Sequence, residues 1–345
     1  MEGNGCTHYK DCFELAKLPY FSLDGRGKPC LALENAPPIV DFHTHLVFSV
    51  SKFTPQFNLQ METPQVMHSF RERRVPIDMS LYSGVNLKNE RREGMFREYA
   101  KTLVSNKGAM ATYTVPNILK EMDRMGLHKS VLLAIDPPGS MHVSENYLNN
   151  TAGNERLITF CGVNPRSPRW EEHIEKCVEM GAKGIKVHPY LQWLPPDDEK
   201  VLEMIERWGK TGLPVLFHTA NNGLEPAVLR KLSNIEHYEK ALKMFPEITF
   251  IFGHAGMGFF EDACRMAKEH GNTYVEVGGQ PPESLKRIID IMGPDKVLYG
   301  SDWPVYPFIL PLAKVMIATE GDPDTRRKIL GGNAEKLLAG LPAAA

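Results

Sequence analysis

The stretch IVDFHTHLVF, residues 39–48, joins an apolar run to an acid and two histidines spaced one residue apart. Residues i and i+2 of an extended strand point to the same side, so a strand here aims His43 and His45 at one point in space. Twelve histidines in 345 residues predict roughly 0.4 such pairs by chance, so the pair alone is weak evidence for a metal site. Its meaning depends on what the rest of the chain sets beside it.

Seven further apolar runs follow: KSVLLAI (129–135), LITFCGV (157–163), GIKVH (184–188), PVLFH (214–218), ITFIFGH (248–254), TYVEVG (273–278) and KVLYGSD (296–302). With 39–43 they make eight. Each is continuous rather than alternating, as expected of strands buried on both faces of a parallel sheet. Helical patterns lie between them. Those at 116–126, 169–181 and 197–212 end in Gly126, Gly181 and Gly212, the usual stop signal. Others are predicted near 225–244, 259–270, 283–292, 308–319 and 324–339. Eight strands alternating with helices argue for an α/β fold of the (β/α)8 TIM barrel type. A doubly wound sheet is the weaker alternative, because no G-x-G-x-x-G follows the first strand.

Two regions stand outside the bare barrel, which covers 39–340. Residues 1–38 form an N-terminal extension in which YFSLDGRGKPCLAL reads as a hairpin turning at Asp24-Gly25. Residues 46–111 make a connection far longer than the usual βα loop of ~2–6 residues. PQVMHSFRERR and NERREGMFREYAKTLV within it are helical in pattern. The insertion reads as a lid over the carboxyl ends of the strands.

Composition excludes several classes. Hydrophobic residues make up 42% and charged ones 24%, enough for a large core. The net charge is −2 with acids and bases interspersed, so no basic stripe invites nucleic acid. No apolar run nears the ~20 residues of a membrane helix, and the N-terminus lacks a signal-peptide core; a cytoplasmic chain is expected. None of the six cysteines forms a C-x-x-C pair. Cys161 and Cys177 read as buried thiols, and Cys6, His8 and Cys12 could make a small metal clip, although zinc ribbons need tighter, paired spacing.

The stronger signal is clustering at the strand ends. Five of the twelve histidines, His43, His45, His188, His218 and His254, fall there, with Lys186, Glu276 and Asp302. Chance scattering would put about one or two there, and the carboxyl ends of barrel strands are where active sites form.

The segments DFHTH, GIKVHP, VLFHTA, FGHAG and YGSDWP, with ILGGNAEKLL near the end, resemble in that order the metal-dependent amidohydrolase superfamily. The branch is the one containing aminocarboxymuconate-semialdehyde decarboxylase and related decarboxylases. The resemblance implies that His43, His45, His218 and Asp302 bind one divalent ion. Three imidazoles and a carboxylate suit Zn²⁺, with Mn²⁺ the alternative. It gives His254 a proton-transfer role, for which a neutral-range imidazole is suited. Lys186 has two readings: a carboxylated lysine bridging a second ion, or, as preferred here, a substrate contact together with His188. Tyr190, Trp193 and Trp303 either wall a planar substrate pocket or pack beneath the lid. Arg71, Arg73, Arg74, Arg91, Arg92 and Arg97 are solvated helix faces unless one reaches a substrate carboxylate.

The same residues serve two enzyme classes. The leading expectation is a hydrolase, in which a metal-activated water attacks an ester, lactone or amide of a small carboxylated substrate and Asp302 carries the proton. The alternative is a non-oxidative decarboxylase of a planar carboxylated substrate. An inactive barrel serving as a scaffold fits less well, since nothing structural requires four ligands together. A small molecule is the expected partner, and the resemblance extends to a homodimer.

Overall fold

The computed structural model describes residues 7–47, 57–67, 75–87, 93–94, 97–98, 107–138, 142–221 and 227–342. Branched and aromatic side chains favour a pleated surface covered on both sides, and the apolar runs become strands accordingly. Two short pairs of the periphery come first. They are β1 (His8–Tyr9), β2 (Phe21–Leu23) and β3 (Pro29–Leu31) in the extension, and β5 (Ile77–Asp78) in the insertion. The barrel strands are β4 (Ile39–Thr44), β6 (Leu127–Leu133), β7 (Leu157–Phe160), β8 (Ile185–Val187), β9 (Val215–Ala220), β10 (Phe250–Met257), β11 (Thr273–Glu276) and β12 (Val297–Leu298).

β4, β6 and β7 pair in parallel, as do β8 through β12. Single parallel bridges, Cys161 to Ile185 and Thr44 to Trp303, join the two sheets at both edges. At the second junction Phe42 N donates to Tyr299 O at 2.8 Å, Asp302 N to His43 O at 2.8 Å and His45 N to Trp303 O at 2.7 Å. The eight strands therefore run round a ring, a TIM barrel as the sequence predicts. Val40, Phe42, Val131, Leu133, Phe160, Leu216, Ile251 and Leu298 fill its interior, with Ala334 and Leu337 of a C-terminal helix joining the cluster. Phe42 and Phe160 meet edge to face at 5.7 Å, a pairing worth about 0.5–1.5 kcal/mol beyond its burial. The larger apolar cluster lies between strands and helices.

Helices span Val115–Arg124, Trp170–Glu179, Glu199–Gly209, Phe260–His270, Pro282–Met292 and Ile309–Ala318, close to their predicted places. Gly126 ends the first with φ +66°, and a Cβ there would lie 2.8 Å from Leu31 Cδ2. Several expectations need correction. Helix His142–Thr151 was not anticipated; it is poor in apolar periodicity, and Asp136 accepts from Val143 N at 3.0 Å and Ser144 N at 3.1 Å at its start. Over its described residues, 227–244, the predicted helix at 225–244 is two short ones, Ala227–Arg230 and Glu239–Met244, with tight turns between. The helix over 324–339 is interrupted by a wide turn at Lys328–Gly332. The hairpin turns differently as well. Asp24 Oδ1 accepts from Arg26 N at 2.8 Å and Lys28 N at 2.9 Å, and Gly27, not Gly25, takes positive φ (69°).

The insertion is tied to both its neighbours. β5 pairs antiparallel with β1, and His8 Nε2 lies 3.2 Å from Asp78 Oδ2. Ser83 N donates to Gly279 O at 2.9 Å, and Gly258 N to the Tyr82 hydroxyl at 3.4 Å. Residues 77–87 thus rest on the loops that follow β10 and β11. The buried Lys314 Nζ donates to Leu81 O at 2.6 Å and to Gly279 O at 3.4 Å. Of the two predicted insertion helices, the first is not helical at 64–67, and its remainder lies outside the described residues. The second is helical at 93–94 and 97–98. Cys161 and Cys177 are free and buried, as read from the sequence, whereas Cys6 lies outside the described residues. Among the described residues no helix is long and apolar enough to cross a membrane.

Candidate metal centre

The strand ends bring the predicted residues to one mouth of the ring. His43 and His45 leave β4 on the same side, as the period of two requires. His45 Nδ1 contacts Leu133 O at 2.8 Å, and His254 Nδ1 contacts Gly278 O at 3.1 Å. A carbonyl oxygen can only accept, so each Nδ1 carries the proton and each Nε2 keeps its lone pair. His43 Nδ1 meets Glu276 Oε2 at 2.5 Å. Its Nε2 lies 3.8 Å from Asp302 Oδ1, and that of His45 lies 3.4 Å from the same oxygen. Among the described residues, His43, His254 and Asp302 each offer a ligand atom within 4.8 Å of the other two.

His218 comes in from β9. Its ring stacks on His188 at 4.1 Å and stands 4.9 Å from that of His254. Its Nε2 is buried and finds no hydrogen-bond partner, and neither does His188 Nδ1. Such orphaned nitrogens are costly unless something binds them. Tyr190 sets its ring edge-on to His188 at 4.3 Å and to His218 at 5.0 Å. Lys186 Nζ is buried 3.5 Å from His43 Nε2. Trp193 is 55% exposed with φ +61°, a backbone state that bulky residues rarely take. Trp303 is buried between Tyr113 and Phe308, with ring centroids at 6.1 and 5.9 Å, so it packs rather than walls a pocket.

Burial sets the charges. It holds His43, His188 and His218 well below the ordinary imidazole range and brings His254 down to about 4. It lowers Lys186 to about 7 and raises Glu276 to about 8. The mouth is therefore lined with neutral imidazoles, the form that ligates metals. Convergent lone pairs, held tautomers, an adjacent carboxylate and an orphaned nitrogen together fit a divalent cation.

Two features escaped the sequence. His254 stands with His43 and Asp302 in the tight group, although the sequence reading preferred a proton-transfer role for it, with a fifth ligand or a structural residue as the alternative. Glu276 was placed at the mouth without a partner, because its contact with His43 links residues 233 positions apart. Asp41, conspicuous in the opening run, accepts from His43 N at 2.9 Å and Ser301 N at 3.0 Å and so ties β4 to the segment after β12. Of the insertion arginines, Arg97 is exposed; Arg71, Arg73, Arg74, Arg91 and Arg92 lie outside the described residues.

Residues 146–340, more than half of the chain, match the family model described as Amidohydrolase. The chain belongs to the amidohydrolase family. No curated protein sequence matches it. Solved structures give this amidohydrolase the same fold at low identity. An uncharacterised TIM-barrel protein from Bordetella bronchiseptica is 16% identical, with TM-score 0.60 over 88% of this chain and 98% of that one. A 5-carboxyvanillate decarboxylase from Sphingomonas paucimobilis is 15% identical, with TM-score 0.60 over 88% and 99%. A 5-carboxyvanillate decarboxylase from Novosphingobium aromaticivorans, complexed with manganese and 4-hydroxy-3-methoxy-5-nitrobenzoic acid, is 18% identical, with TM-score 0.55 over 72% and 88%.

Proposed function

We propose that this amidohydrolase is a metal-dependent carboxy-lyase that removes carbon dioxide from a small planar carboxylated substrate. The observation that carries the substrate class is Lys186. Its amino group is buried beside His43, and among the described residues no carboxylate forms an ion pair with it. A substrate carboxylate brought alongside would restore its ammonium form, since an opposite charge favours the charged state. The reaction class is supported by the structural neighbours that are decarboxylases, one of them holding manganese and a benzoic acid. This reverses the order of the two enzyme classes expected from the sequence.

In this reading His43, His45, His218 and Asp302 hold one divalent cation, zinc or manganese. When bound, the cation supplies Lewis-acid polarisation of a substrate oxygen. Lys186 and His188 orient the carboxylate, and Tyr190 and Trp193 flank the planar ring. The bond between ring carbon and carboxyl carbon breaks, its electron pair stays on the ring, and carbon dioxide leaves. That carbon then takes a proton that originates from water and is relayed through His254 Nε2, with Asp302 beside it. Residues 77–87 of the insertion, which rest on the loops after β10 and β11, would cover the mouth and limit the entry of water.

The test is a split assay. Purified protein is analysed for metal, loaded with Zn²⁺ or Mn²⁺, and offered hydroxybenzoates bearing a carboxylate beside lactones, esters and amides. Carbon dioxide release from the benzoates is the expected result. Acid release from lactones, esters or amides, without carbon dioxide from any benzoate, would instead establish the hydrolase.

A further inference from the structure

We infer that Glu276 is a positioning residue of the proposed metal centre: one buried carboxyl fixes the ring of His43 and the backbone turn of His254 together. The inference rests on that centre and names a residue to which neither the ligand set nor the proton transfer gives a role.

Glu276 ends β11 and is wholly buried. Its Oε2 takes His43 Nδ1 at 2.5 Å and the backbone N–H of His254 at 3.1 Å, and its Oε1 takes the backbone N–H of Gly278. Three segments distant in the chain therefore meet on two oxygens. The turn it grips is strained: His254 has φ +60° and Ala255 φ +48°, a region that such residues rarely adopt. Gln280 holds the other side of that turn, its Nε2 donating to His254 O at 2.7 Å.

Room for the carboxyl has been made on two sides. A Cβ at Gly300 would lie 2.1 Å from Glu276 Oε1, and one at Gly278 2.7 Å from it. A residue that merely filled space would be apolar, because burying a carboxyl costs free energy that packing alone does not return. The geometry instead matches a carboxylate that accepts Nδ1–H from a ligating imidazole. Such a partner fixes the tautomer, turns Nε2 toward the cation and raises its basicity.

The experiment compares Glu276→Gln and Glu276→Leu with the unaltered protein. The first measurement needs no metal. Nitrogen-15 NMR of histidine-labelled, metal-free protein reports the His43 tautomer, with the signal assigned through His43→Gln. The second is Zn²⁺ affinity by chelator competition. At pH 9, where Glu276 is ionised, we expect His43 to be held as the Nδ1–H form in the unaltered protein and to lose that preference in Glu276→Leu. Zn²⁺ affinity should fall about 10- to 100-fold in Glu276→Leu, with Glu276→Gln between. A folded Glu276→Leu with unaltered tautomer and Zn²⁺ affinity overturns the inference. If Glu276→Leu does not fold, an unchanged Glu276→Gln in both measurements does the same. If the unaltered protein takes up no Zn²⁺, the proposed function fails, and the tautomer measurement alone decides whether Glu276 sets His43.

Discussion

Asp302 lies within reach of both imidazoles of the opening motif, and its backbone φ of +59° keeps it in the left-handed region. Replacing it with Asn preserves shape but removes the charge that faces the proposed cation. Asp302→Asn should lose turnover and bind Zn²⁺ more weakly while its urea midpoint stays near that of the parent; unaltered turnover would remove Asp302 from the mechanism. Lys314 makes a different forecast. Burial lowers it to about 7, whereas an unfolded lysine titrates near ~10.4. Between those values the unfolded chain binds the proton and the folded one does not, so stability rises with pH. Each such group contributes at most ~1.4 kcal/mol per pH unit over that range. Below pH ~7 both states are protonated, and the full penalty of burying the cation is present. Lys186, lowered likewise, adds a similar slope. Lys314→Met should therefore lower the slope of stability against pH between pH 7 and 9 by up to ~1.4 kcal/mol per pH unit, read from urea midpoints. An unchanged slope would show Lys314 charged across that range. At this scale the histidines and Asp302 were legible because each follows an apolar run directly. Glu276 and Lys314 were legible only as residue types, because their partners are set by contacts between distant segments.

Among the elements, strands were read well and their interruptions poorly. A continuous apolar run bounded by polar turns fixes a buried strand to within a few residues, as 157–163 against β7 illustrates. Helix His142–Thr151 has the opposite character, being rich in Asn with few apolar positions, and its start relies on Asp136 from the preceding strand end. The break at Lys328–Gly332 also has an external cause. A Cβ at Gly331 would sit 1.9 Å from Pro38 O, so the segment must pass close to the backbone that begins β4. Gly331→Ala has no flexible side chain to displace and should cost about 1–3 kcal/mol in urea denaturation, the usual penalty of overpacking. A loss below a few tenths would show that the segment can step away from β4.

For the whole molecule, the ring was legible because eight runs alternate with helices, while the 46–111 insertion offered no period strong enough to fix its course. The structure ties that insertion at β1–β5 and at the loops beyond β10 and β11, contacts that no local pattern encodes. A cation bound only by the folded chain should stabilise all of it. At a free concentration one hundred times its Kd, the gain is about 2.7 kcal/mol. Melting of protein stripped with a chelator should therefore shift upward by several degrees on adding Zn²⁺ or Mn²⁺, with a much smaller rise in Asp302→Asn. A melting point indifferent to both ions would remove the centre from the proposal.

The junction at which Asp302 N bonds to His43 O also orders events in time. During translation the histidine pair emerges early, and its acidic counterpart follows more than 250 residues later. A ribosome-bound fragment ending before that acid would carry an unfinished chelate and compete poorly for scarce ions. On the proposed centre, metallation would then come late in synthesis, and chains terminated before residue 302 would sequester little of the cell's supply.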